Sequence, residues 1–352
     1  MMTMNVLGYA AQSAKSAIAS FRFERRTPRP GDVVIDILYC GVCHSDLHTA
    51  RNDWGGTSYP VVPGHEIIGR VIHVGSEVSR FKVGDNVGVG CMVDSCHHCA
   101  SCEKGDEQYC EHGATFTYNS IDPHDKMPTY GGYSEKIVVS DKFVLKIPAG
   151  LDLKGAAPLL CAGITTWSPL RHWNVGNGSR VAVIGLGGLG HMALKLAKAM
   201  GADVTLFTRS LNKIQDARRL GADRVVLSTD AGQMAGVNRQ FDLIIDTVPN
   251  VHDVNPYIPT LSTNGTIVLV GYLGGLEPVL NTVPMIMGRK SVAGSVIGGI
   301  PATQEMLDFC CKQGITSDIE MIEIQDINEA YERLLKSDVK YRFVIDMASL
   351  KK

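Results

Sequence analysis

Short apolar runs alternate with turn-forming residues over the first 150 positions of the chain. Residues 33–38, 67–72 and 86–89 are rich in valine and isoleucine, and glycine, proline or aspartate lies close to both ends of each run. Runs of this length and composition are typical of strands separated by turns. The pattern therefore predicts an irregular, mostly antiparallel β domain.

The pattern changes after residue 160, where apolar strands alternate with amphipathic helices. Residues 180–184 are typical of a buried strand, and apolar residues recur at helical spacing over 191–200, which Gly201 terminates. Further strands are predicted at 203–207, 224–227, 241–246 and 266–270, with a helix at 212–220. Strands that alternate with helices in this way predict a doubly wound parallel sheet.

The tail interrupts that alternation. Helices are predicted over residues 303–311 and 327–335, and they are followed by a single strand at 342–345. A lone final strand is free to join the first domain. The expected fold class is therefore α/β, with a mostly β domain and a parallel-sheet domain.

Length and composition narrow the functional classes. A chain of 352 residues is long enough for two domains. Its 34 Lys and Arg against 36 Asp and Glu give no electrostatic reason to expect nucleic acid. The first residues lack the features of a secretory signal, and no run of eighteen apolar residues occurs. We expect a soluble cytoplasmic protein, without a membrane partner, whose ten cysteines are metal ligands or buried thiols.

A glycine-rich turn follows the strand at 180–184 and opens the helix at 191–200. Its sequence is Gly185-Leu186-Gly187-Gly188-Leu189-Gly190. The GxGxxG pattern in this position permits a tight turn and close approach of backbone N–H groups to a pyrophosphate. The context predicts a dinucleotide site.

The end of the next strand indicates which dinucleotide is bound. An acid there would accept hydrogen bonds from a free ribose 2′-hydroxyl, but this strand ends in Thr208 and Arg209. Asp203 begins the strand and Asp216 lies within the following helix, so neither replaces the missing acid. Arg209 and Lys213 offer positive charge to a 2′-phosphate, which favours NADP(H).

Four cysteines lie in one short polar segment with the spacing C-x2-C-x2-C-x7-C. They are Cys96, Cys99, Cys102 and Cys110. Four thiolates suit closed tetrahedral zinc, which is a structural rather than a catalytic arrangement. An iron–sulfur cluster also uses four thiolates and stays open as an alternative. Paired disulfides are less favoured in a reducing compartment.

A second candidate set is dispersed along the chain and consists of Cys43, His65 and Cys161. Each residue by itself has an ordinary explanation as a buried thiol or a core histidine. Together they match the three-ligand zinc site that leaves a fourth position for water or a substrate oxygen. We interpret the other cysteines, among them Cys91, as structural.

Five segments together resemble one family. They are GVCHSDLH at 41–48, PGHE at 63–66, GVGC followed by the cysteine segment from residue 88, LLCAGITT at 159–166 and GLGGLGH at 185–191. The chain resembles the zinc-containing medium-chain dehydrogenase/reductase superfamily, and within it the cinnamyl-alcohol-dehydrogenase branch. The resemblance spans nearly the whole chain. It implies a GroES-like catalytic domain formed by residues 1–155 and 294–352, a Rossmann domain formed by 156–293, and an active site in the cleft.

The resemblance also implies roles for residues near the metal. Cys43, His65 and Cys161 would hold a catalytic Zn²⁺, one of two zinc ions per chain, and Glu66 would be a transient ligand. Asp46 would orient His65. Ser45 would pass a proton to the coenzyme ribose, and His48 would relay it to solvent. The residues implied for the substrate pocket are Trp54, Met92 and Ile297.

Further residues are implied to contact the coenzyme. The implied set is His44, Thr165, Gly185, Gly187, Gly188, Leu189, Gly190, Thr208, Arg209, Ser210, Lys213, Thr247, Val248, Gly271, Ser295, Val296, Ile297 and Arg342.

The function predicted from these features is zinc-dependent, reversible hydride transfer between NADP(H) and an aldehyde or primary alcohol. We expect a broad aldehyde reductase that accepts aromatic and aliphatic substrates. The alternatives are an NAD-dependent alcohol or polyol dehydrogenase and a non-catalytic dinucleotide-binding sensor. A zinc hydrolase would leave the glycine loop unexplained. From the resemblance we also expect a homodimer, with a tetramer as the alternative.

Overall fold

The computed structural model describes residues 4–271 and 274–352. The chain forms two compact units. The first contains the residues up to Cys161 together with Gly298–Lys352, and the second contains Ala162–Ile297. The limits predicted from the sequence, after residues 155 and 293, lie a few residues earlier in the chain at both junctions.

The first unit is built mostly from strands, which agrees with the predicted β domain. Its strands are β1 (Met4–Ala10), β2 (Ala19–Arg25), β3 (Asp32–Val42), β4 (Ile67–Val74), β5 (Asn86–Val89), β6 (Met92–Asp94), β7 (Thr115–Phe116), β8 (Lys136–Ser140) and β9 (Leu145–Lys146). Its first helices are α1 (His44–Ala50), α2 (Ala100–Glu103) and α3 (Leu153–Ala156).

The second unit is the predicted parallel-sheet domain. Its helices are α4 (Ala162–His172), α5 (Gly190–Ala199), α6 (Ile214–Arg219), α7 (Ala231–Ala235) and α8 (Val283–Ile286). Its strands are β10 (Arg180–Ile184), β11 (Asp203–Thr208), β12 (Arg224–Leu227), β13 (Phe241–Asp246), β14 (Leu261–Leu269) and β15 (Ser291–Gly294). They form one parallel sheet in the order β12-β11-β10-β13-β14-β15, the strand order of a Rossmann fold.

One face of this parallel sheet carries an aromatic core. Phe207 contacts Phe241 and Tyr257 edge-on, with ring centroids 5.4 and 5.2 Å apart. Ala182 and Ile244 belong to the same buried cluster. Burying one large apolar side chain contributes about 1.5–3 kcal/mol, so this cluster fixes the strands whose carboxyl ends carry the predicted coenzyme residues.

The tail joins the first unit, as its pattern predicts. It contains α9 (Ile300–Gln313), β16 (Ile319–Glu323), α10 (Ile327–Leu335) and β17 (Arg342–Asp346). β17 pairs antiparallel with β3, Phe343 lying opposite Val42, and β16 pairs parallel with β17. The resulting seven-stranded sheet has the order β16-β17-β3-β4-β5-β9, and β8 also pairs with β3.

The central position of β3 explains why its sequence has little alternation. Val33, Val34 and Ile35 are all buried, as is usual for a strand covered on both faces. β3 pairs with β4, β8 and β17. The strand ends at Val42, one residue before Cys43, so the middle of the sheet delivers this predicted ligand to its edge.

Helix lengths bear on the question of membrane insertion. Among the residues that the structure describes, none of the helices is long and apolar enough to span a bilayer.

Candidate metal centres and coenzyme loop

The amino terminus of α1 is fixed by a buried carboxylate. Asp46 is fully buried, and its Oδ2 accepts a hydrogen bond from the backbone N–H of Cys43 at 2.8 Å. Its Oδ1 accepts a second bond from the N–H of Gly64 at 3.0 Å, and the Tyr133 hydroxyl lies 3.3 Å from Oδ2. One side chain therefore ties Cys43 to the segment that carries His65.

The same carboxylate determines the orientation of the His65 ring. Nδ1 of His65 lies 3.2 Å from Oδ1 of Asp46 and 3.3 Å from the Tyr118 hydroxyl. A ring nitrogen that faces a carboxylate carries the proton, which leaves the lone pair on Nε2. Nε2 is buried, has no hydrogen-bond partner of ordinary geometry in the described part of the chain, and faces the thiol of Cys43.

Two sulfur atoms lie beside that lone pair, and a third lies next to one of them. The Sγ atoms of Cys43 and Cys161 are 3.9 Å apart, although 118 positions separate the two residues. Two thiolates on one tetrahedral zinc, each about 2.3 Å from the metal, would be about 3.8 Å apart. Cys91, which the sequence groups with the structural cysteines, is the third, and a hydrogen bond to Cys161 lowers its pKa.

Glu66 lies beside this group and forms an ion pair with a residue of the carboxyl-terminal segment. Oε1 of Glu66 forms a buried ion pair with the guanidinium of Arg342, which also donates to the Val42 carbonyl oxygen at 3.0 Å. Burial lowers the pKa of Arg342, but Glu66 together with Cys43 and Cys161 more than offsets this effect, so the pKa is raised. A Cβ at Gly41 would lie 1.9 Å from Oε2 of Glu66, so only glycine leaves room for this carboxylate.

These residues fit a metal ion. The ligand atoms of Cys43, His65, Glu66 and Cys161 all lie within 4.8 Å of one another. The set combines two thiolates, an imidazole lone pair and a carboxylate, the ligand types that zinc takes in proteins. The orphaned Nε2 of His65 is satisfied only by a cation or a donor placed among the sulfurs.

Other predicted residues of the first unit lie around α1. The Ser45 hydroxyl is 3.6 Å from the Cys43 sulfur, and Nδ1 of His48 is 2.8 Å from a carboxylate oxygen of Asp53. The ring of Trp54, 41% exposed, lies 5.2 Å from that of His48. The other two predicted residues, Met92 and His44, are buried in β6 and half-buried in α1 respectively.

The cysteine segment forms a second metal-binding arrangement. The thiols of Cys96, Cys99 and Cys110 and a ring nitrogen of His112 lie within 4.8 Å of one another. Cys102 is outside that group, but its sulfur lies 3.8 Å from that of Cys96. That separation equals about one edge of a tetrahedral zinc–thiolate site, so we favour Cys102 over His112 as the fourth ligand.

Backbone N–H groups stabilise these thiolates. The N–H of Cys99 points at the Cys96 sulfur at 3.4 Å, and the N–H of Glu111 points at the Cys99 sulfur at 3.4 Å. Hydrogen bonds from Cys102 and Glu111 lower the pKa of the Cys99 thiol to about 6. A thiol that ionises this readily is prepared to bind a cation at neutral pH.

In the second unit, the glycine loop connects β10 to α5 as predicted. Gly185 has a φ of +89°, a conformation that favours glycine. A Cβ at Gly190 would lie 2.1 Å from the Gly185 carbonyl oxygen, whereas a Cβ at Gly187 would meet nothing within 4 Å. The loop is thus tightly closed on itself but open above Gly187, which fits the approach of a pyrophosphate.

The two basic residues predicted to bind the coenzyme lie next to this loop and at the end of β11. Nζ of Lys213 donates to the Leu186 carbonyl oxygen at 3.0 Å, and burial lowers the pKa of Lys213. Arg209 is exposed just after Thr208. No acid lies at the end of β11, because Asp203 begins that strand and Asp216 lies within α6.

Most other predicted coenzyme residues follow the carboxyl ends of the parallel strands, where such sheets bind ligands. In chain order they are Ser210, Thr247, Val248, Gly271, Ser295, Val296 and Ile297. Gly188 and Leu189 belong to the glycine loop, and Thr165 is buried within α4. Arg342 begins β17 in the first unit.

Several groups escaped prediction from the sequence. His112 follows Cys110 by two positions, so spacing could have indicated it. Tyr118 and Cys91 give no local signal, because the fold alone brings them to His65 and Cys161. In the second unit, the fully buried Asp246 forms an ion pair with His252.

Comparisons with known proteins agree with these features. Residues 29–149 match the family model described as the alcohol dehydrogenase GroES-like domain, and residues 188–312 match that of the zinc-binding dehydrogenases. Aldehyde reductase YahK of Escherichia coli is 53% identical over 348 residues, which cover 99% of both chains.

Two solved structures are similar over almost their whole length. A cinnamyl alcohol dehydrogenase from Sorghum bicolor superposes with a TM-score of 0.94 at 46% identity, covering 98% of each chain. The cinnamyl alcohol dehydrogenase of Helicobacter pylori complexed with NADP(H) gives a TM-score of 0.91 at 43% identity, covering 99% of each chain.

The metal content of single variants tests the ligand sets. We expect the purified chain to contain about two zinc ions, and Cys102→Ser to lose about one of them, because three thiolates no longer close the tetrahedron. His112→Gln and the control Cys311→Ser should keep both ions. Mass spectrometry under native conditions or atomic absorption measures this, and zinc loss in His112→Gln with retention in Cys102→Ser would reverse the assignment.

Proposed function

We propose that this chain, which belongs to the zinc-binding alcohol dehydrogenases with a GroES-like domain, reduces aldehydes to primary alcohols with NADPH. The observation that carries the proposal is the convergence of Cys43, Cys161 and the orphaned Nε2 of His65 in a chain that also has an open glycine loop. The names of the relatives, aldehyde reductase and cinnamyl alcohol dehydrogenase, agree with it.

The chemistry divides between bound groups and the chain. A zinc ion held by Cys43, His65 and Cys161 supplies a Lewis acid for the aldehyde oxygen, and NADPH supplies the hydride. The chain keeps the ligands in place. We assign to Asp46 the orientation of His65, because its carboxylate holds the Nδ1 proton and thereby points the Nε2 lone pair at the two sulfurs.

Glu66 is proposed as the ligand that exchanges. Its Oε1 is held by Arg342, while Oε2 is buried without a hydrogen-bond partner among the described side chains. A carboxylate held by one oxygen and free at the other is suited to approach the metal and retreat again. Under this proposal Arg342 acts first as the ionic partner of Glu66, and the coenzyme contact that the sequence implies for Arg342 stays a prediction.

A proton must reach the product oxygen. We assign the first transfer to Ser45, whose hydroxyl lies 3.6 Å from the Cys43 sulfur and so borders the proposed zinc site. His48 lies one helical turn further along α1, where Asp53 contacts Nδ1 at 2.8 Å and fixes the ring. The exposed position of Asp53 suits a relay to solvent.

The preference for NADP(H) rests on charge. Arg209 and Lys213 carry the positive charge at the end of β11, and an acid that would bind a 2′-hydroxyl is missing from that position. A phosphate gains from two such cations, whereas a hydroxyl does not. The NAD-dependent alternative would need an acid from elsewhere in the sheet edge. The substrate residues Trp54, Met92 and Ile297 stay predictions.

We further propose a homodimer formed through the second unit. Val279, Val283, Ile286 and Met287 are 85, 64, 75 and 80% exposed, an unusual density of apolar side chains on a surface. They immediately precede β15, the edge strand of the parallel sheet. Exposed edge strands pair readily, and a second copy of the chain would cover both features by twofold symmetry.

The proposed compartment is the cytoplasm. Both metal sites need reduced thiolates, and no disulfide joins their cysteines. A reducing compartment preserves that state. Cell fractionation tests this assignment, and recovery in an oxidising compartment would contradict it.

The activity is tested by initial rates with aromatic and aliphatic aldehydes, using NADPH or NADH on zinc-assayed protein. We expect rapid NADPH oxidation that is abolished in His65→Ala and retained in the control Cys311→Ser. Turnover that is faster with NADH would favour the NAD-dependent alternative. Zinc-replete protein that turns over no aldehyde or alcohol would favour the non-catalytic sensor.

The proton path is tested at Ser45. Loss of a general acid–base group costs about 10²-fold or more in rate, so kcat should fall by about that factor in Ser45→Ala and recover in Ser45→Thr. Zinc content and the Kd for NADPH should stay unchanged in both variants, because neither depends on proton transfer. A Ser45→Ala enzyme with the kcat of the wild type would remove Ser45 from the path.

The dimer is tested by sedimentation. The wild type should have twice the mass of the 38.0 kDa chain, and Ile286→Lys should shift it toward one chain, because a buried charge opposes the contact. Val83→Lys, at another exposed valine in the first unit, is the control and should leave the mass unchanged. A wild-type monomer at micromolar concentration would refute the dimer, and a mass of four chains would favour the tetramer.

A further inference from the structure

The buried acid Asp246 lies at the carboxyl edge of the parallel sheet and has one cationic partner. Asp246 is the last residue of β13 and is fully buried. Its Oδ1 accepts a hydrogen bond from the Val248 N–H at 3.1 Å, and its Oδ2 lies 3.0 Å from Nε2 of His252. The metal and proton-transfer roles assigned above use neither residue.

The surroundings of the His252 ring indicate its charge. Nδ1 lies 2.9 Å from the carbonyl oxygen of Asn250, which is an acceptor only, and Nε2 faces the carboxylate of Asp246. An acceptor beside each ring nitrogen favours the imidazolium form, although Nε2 and Oδ2 make no hydrogen bond of ordinary geometry among the described residues. His252 and Asp246 together form a neutral ion pair as long as the ring stays protonated.

This pair shares the carboxyl edge of the sheet with Arg209. Asp246 ends β13 and Arg209 directly follows β11, and these two strands flank β10 in the parallel sheet. Arg209 acts electrostatically on His252 as well, because its positive charge lowers the pKa of that ring.

A negative charge at this edge would oppose the binding of a 2′-phosphate. Asp246 supplies such a charge, and His252 cancels it. With a neutral His252 the uncompensated carboxylate would repel the phosphate and favour a ribose hydroxyl, as acids at this edge do in NAD-binding proteins. The selectivity of the site therefore depends on the proton of His252 as well as on Arg209.

We propose that His252, through its ion pair with Asp246, is a specificity-determining residue for the 2′-phosphate end of the coenzyme, and that selectivity for NADPH over NADH falls as the pH rises above neutrality. The inference rests on the proposed NADP(H)-dependent function. It assigns the residue no part in hydride transfer.

The direction of the pH effect follows from the groups around the ring. The contact with Asp246 raises the pKa of His252, against the lowering effects of burial and of Arg209. The ring therefore keeps its charge to a higher pH than an ordinary imidazole and loses it as the pH rises through this raised pKa. The second pKa of a phosphate monoester is about 6, so the 2′-phosphate is already mostly ionised at pH 7 and its charge changes little up to pH 9.

The test measures the Kd of NADPH and of NADH by fluorescence titration of the zinc-loaded protein at pH 7 and pH 9. The selectivity ratio is the Kd of NADH divided by the Kd of NADPH. For the wild type, this ratio should fall by about three- to tenfold between these pH values, the size expected for one partly screened charge. His252→Gln should show the lowered selectivity ratio already at pH 7, because the glutamine amide can donate a hydrogen bond to Asp246 but carries no positive charge.

Two further variants separate selectivity from structure. His252→Arg keeps a positive charge at all pH values and should keep the high selectivity ratio at pH 9. Any fall in the ratio that remains in this variant reports the loss of charge on Lys213. His172→Gln changes an exposed histidine of the same unit and should behave as the wild type. Thermal melting of every variant accompanies the titrations, and if His252→Gln does not fold, the wild type and His252→Arg decide between the outcomes.

The outcomes distinguish the inference from the function on which it rests. A wild type that binds NADH as tightly as NADPH at pH 7 would overturn the proposed coenzyme preference and the inference with it. A wild type that prefers NADPH, together with a His252→Gln variant of unchanged ratio, would overturn the inference alone. If His252→Gln bound NADPH and NADH more weakly by the same factor, His252 would have a structural role, and this result would likewise overturn the inference.

Discussion

The first unit depends on one buried carboxylate. Asp46 accepts hydrogen bonds from the backbone of Cys43 and of Gly64, and it faces the ring of His65. Leaving a buried charge without partners costs about 3–5 kcal/mol, so the segment of Cys43 and the segment of Gly64 and His65 are held together by that cost. The same interaction that stabilises the start of α1 also directs the Nε2 lone pair of His65 toward the sulfurs of Cys43 and Cys161.

The second unit repeats this arrangement with another acid. Asp246 ends a central strand of the parallel sheet and is balanced by the imidazolium of His252. In both units a fully buried aspartate lies at a strand or helix terminus, accepts a backbone N–H hydrogen bond and lies beside a histidine ring. The difference lies in the histidine: His65 has one ring nitrogen free for a metal, whereas both nitrogens of His252 face acceptors.

Much of the fold was predictable because its signals are local. The alternation of strand and helix after residue 160 predicted the parallel sheet, and the observed strands confirm it. The helix predicted at 212–220 begins as a short 3₁₀ turn at Leu211–Lys213, and the strand predicted at 266–270 begins earlier, at Leu261. Such ends depend on packing and hydrogen bonds outside the segment, which periodicity does not report.

By itself the sequence determined the two kinds of unit, the glycine loop, the group of four cysteines and the family, because each depends on neighbours within a few dozen positions. The tertiary structure decided which distant groups meet. Glu66 and Arg342 are 276 positions apart, and they meet because β17 pairs with β3. Cys91 and Tyr118 were likewise found only in the fold. Contacts between distant segments follow from strand pairing and burial, and residue spacing carries no record of either.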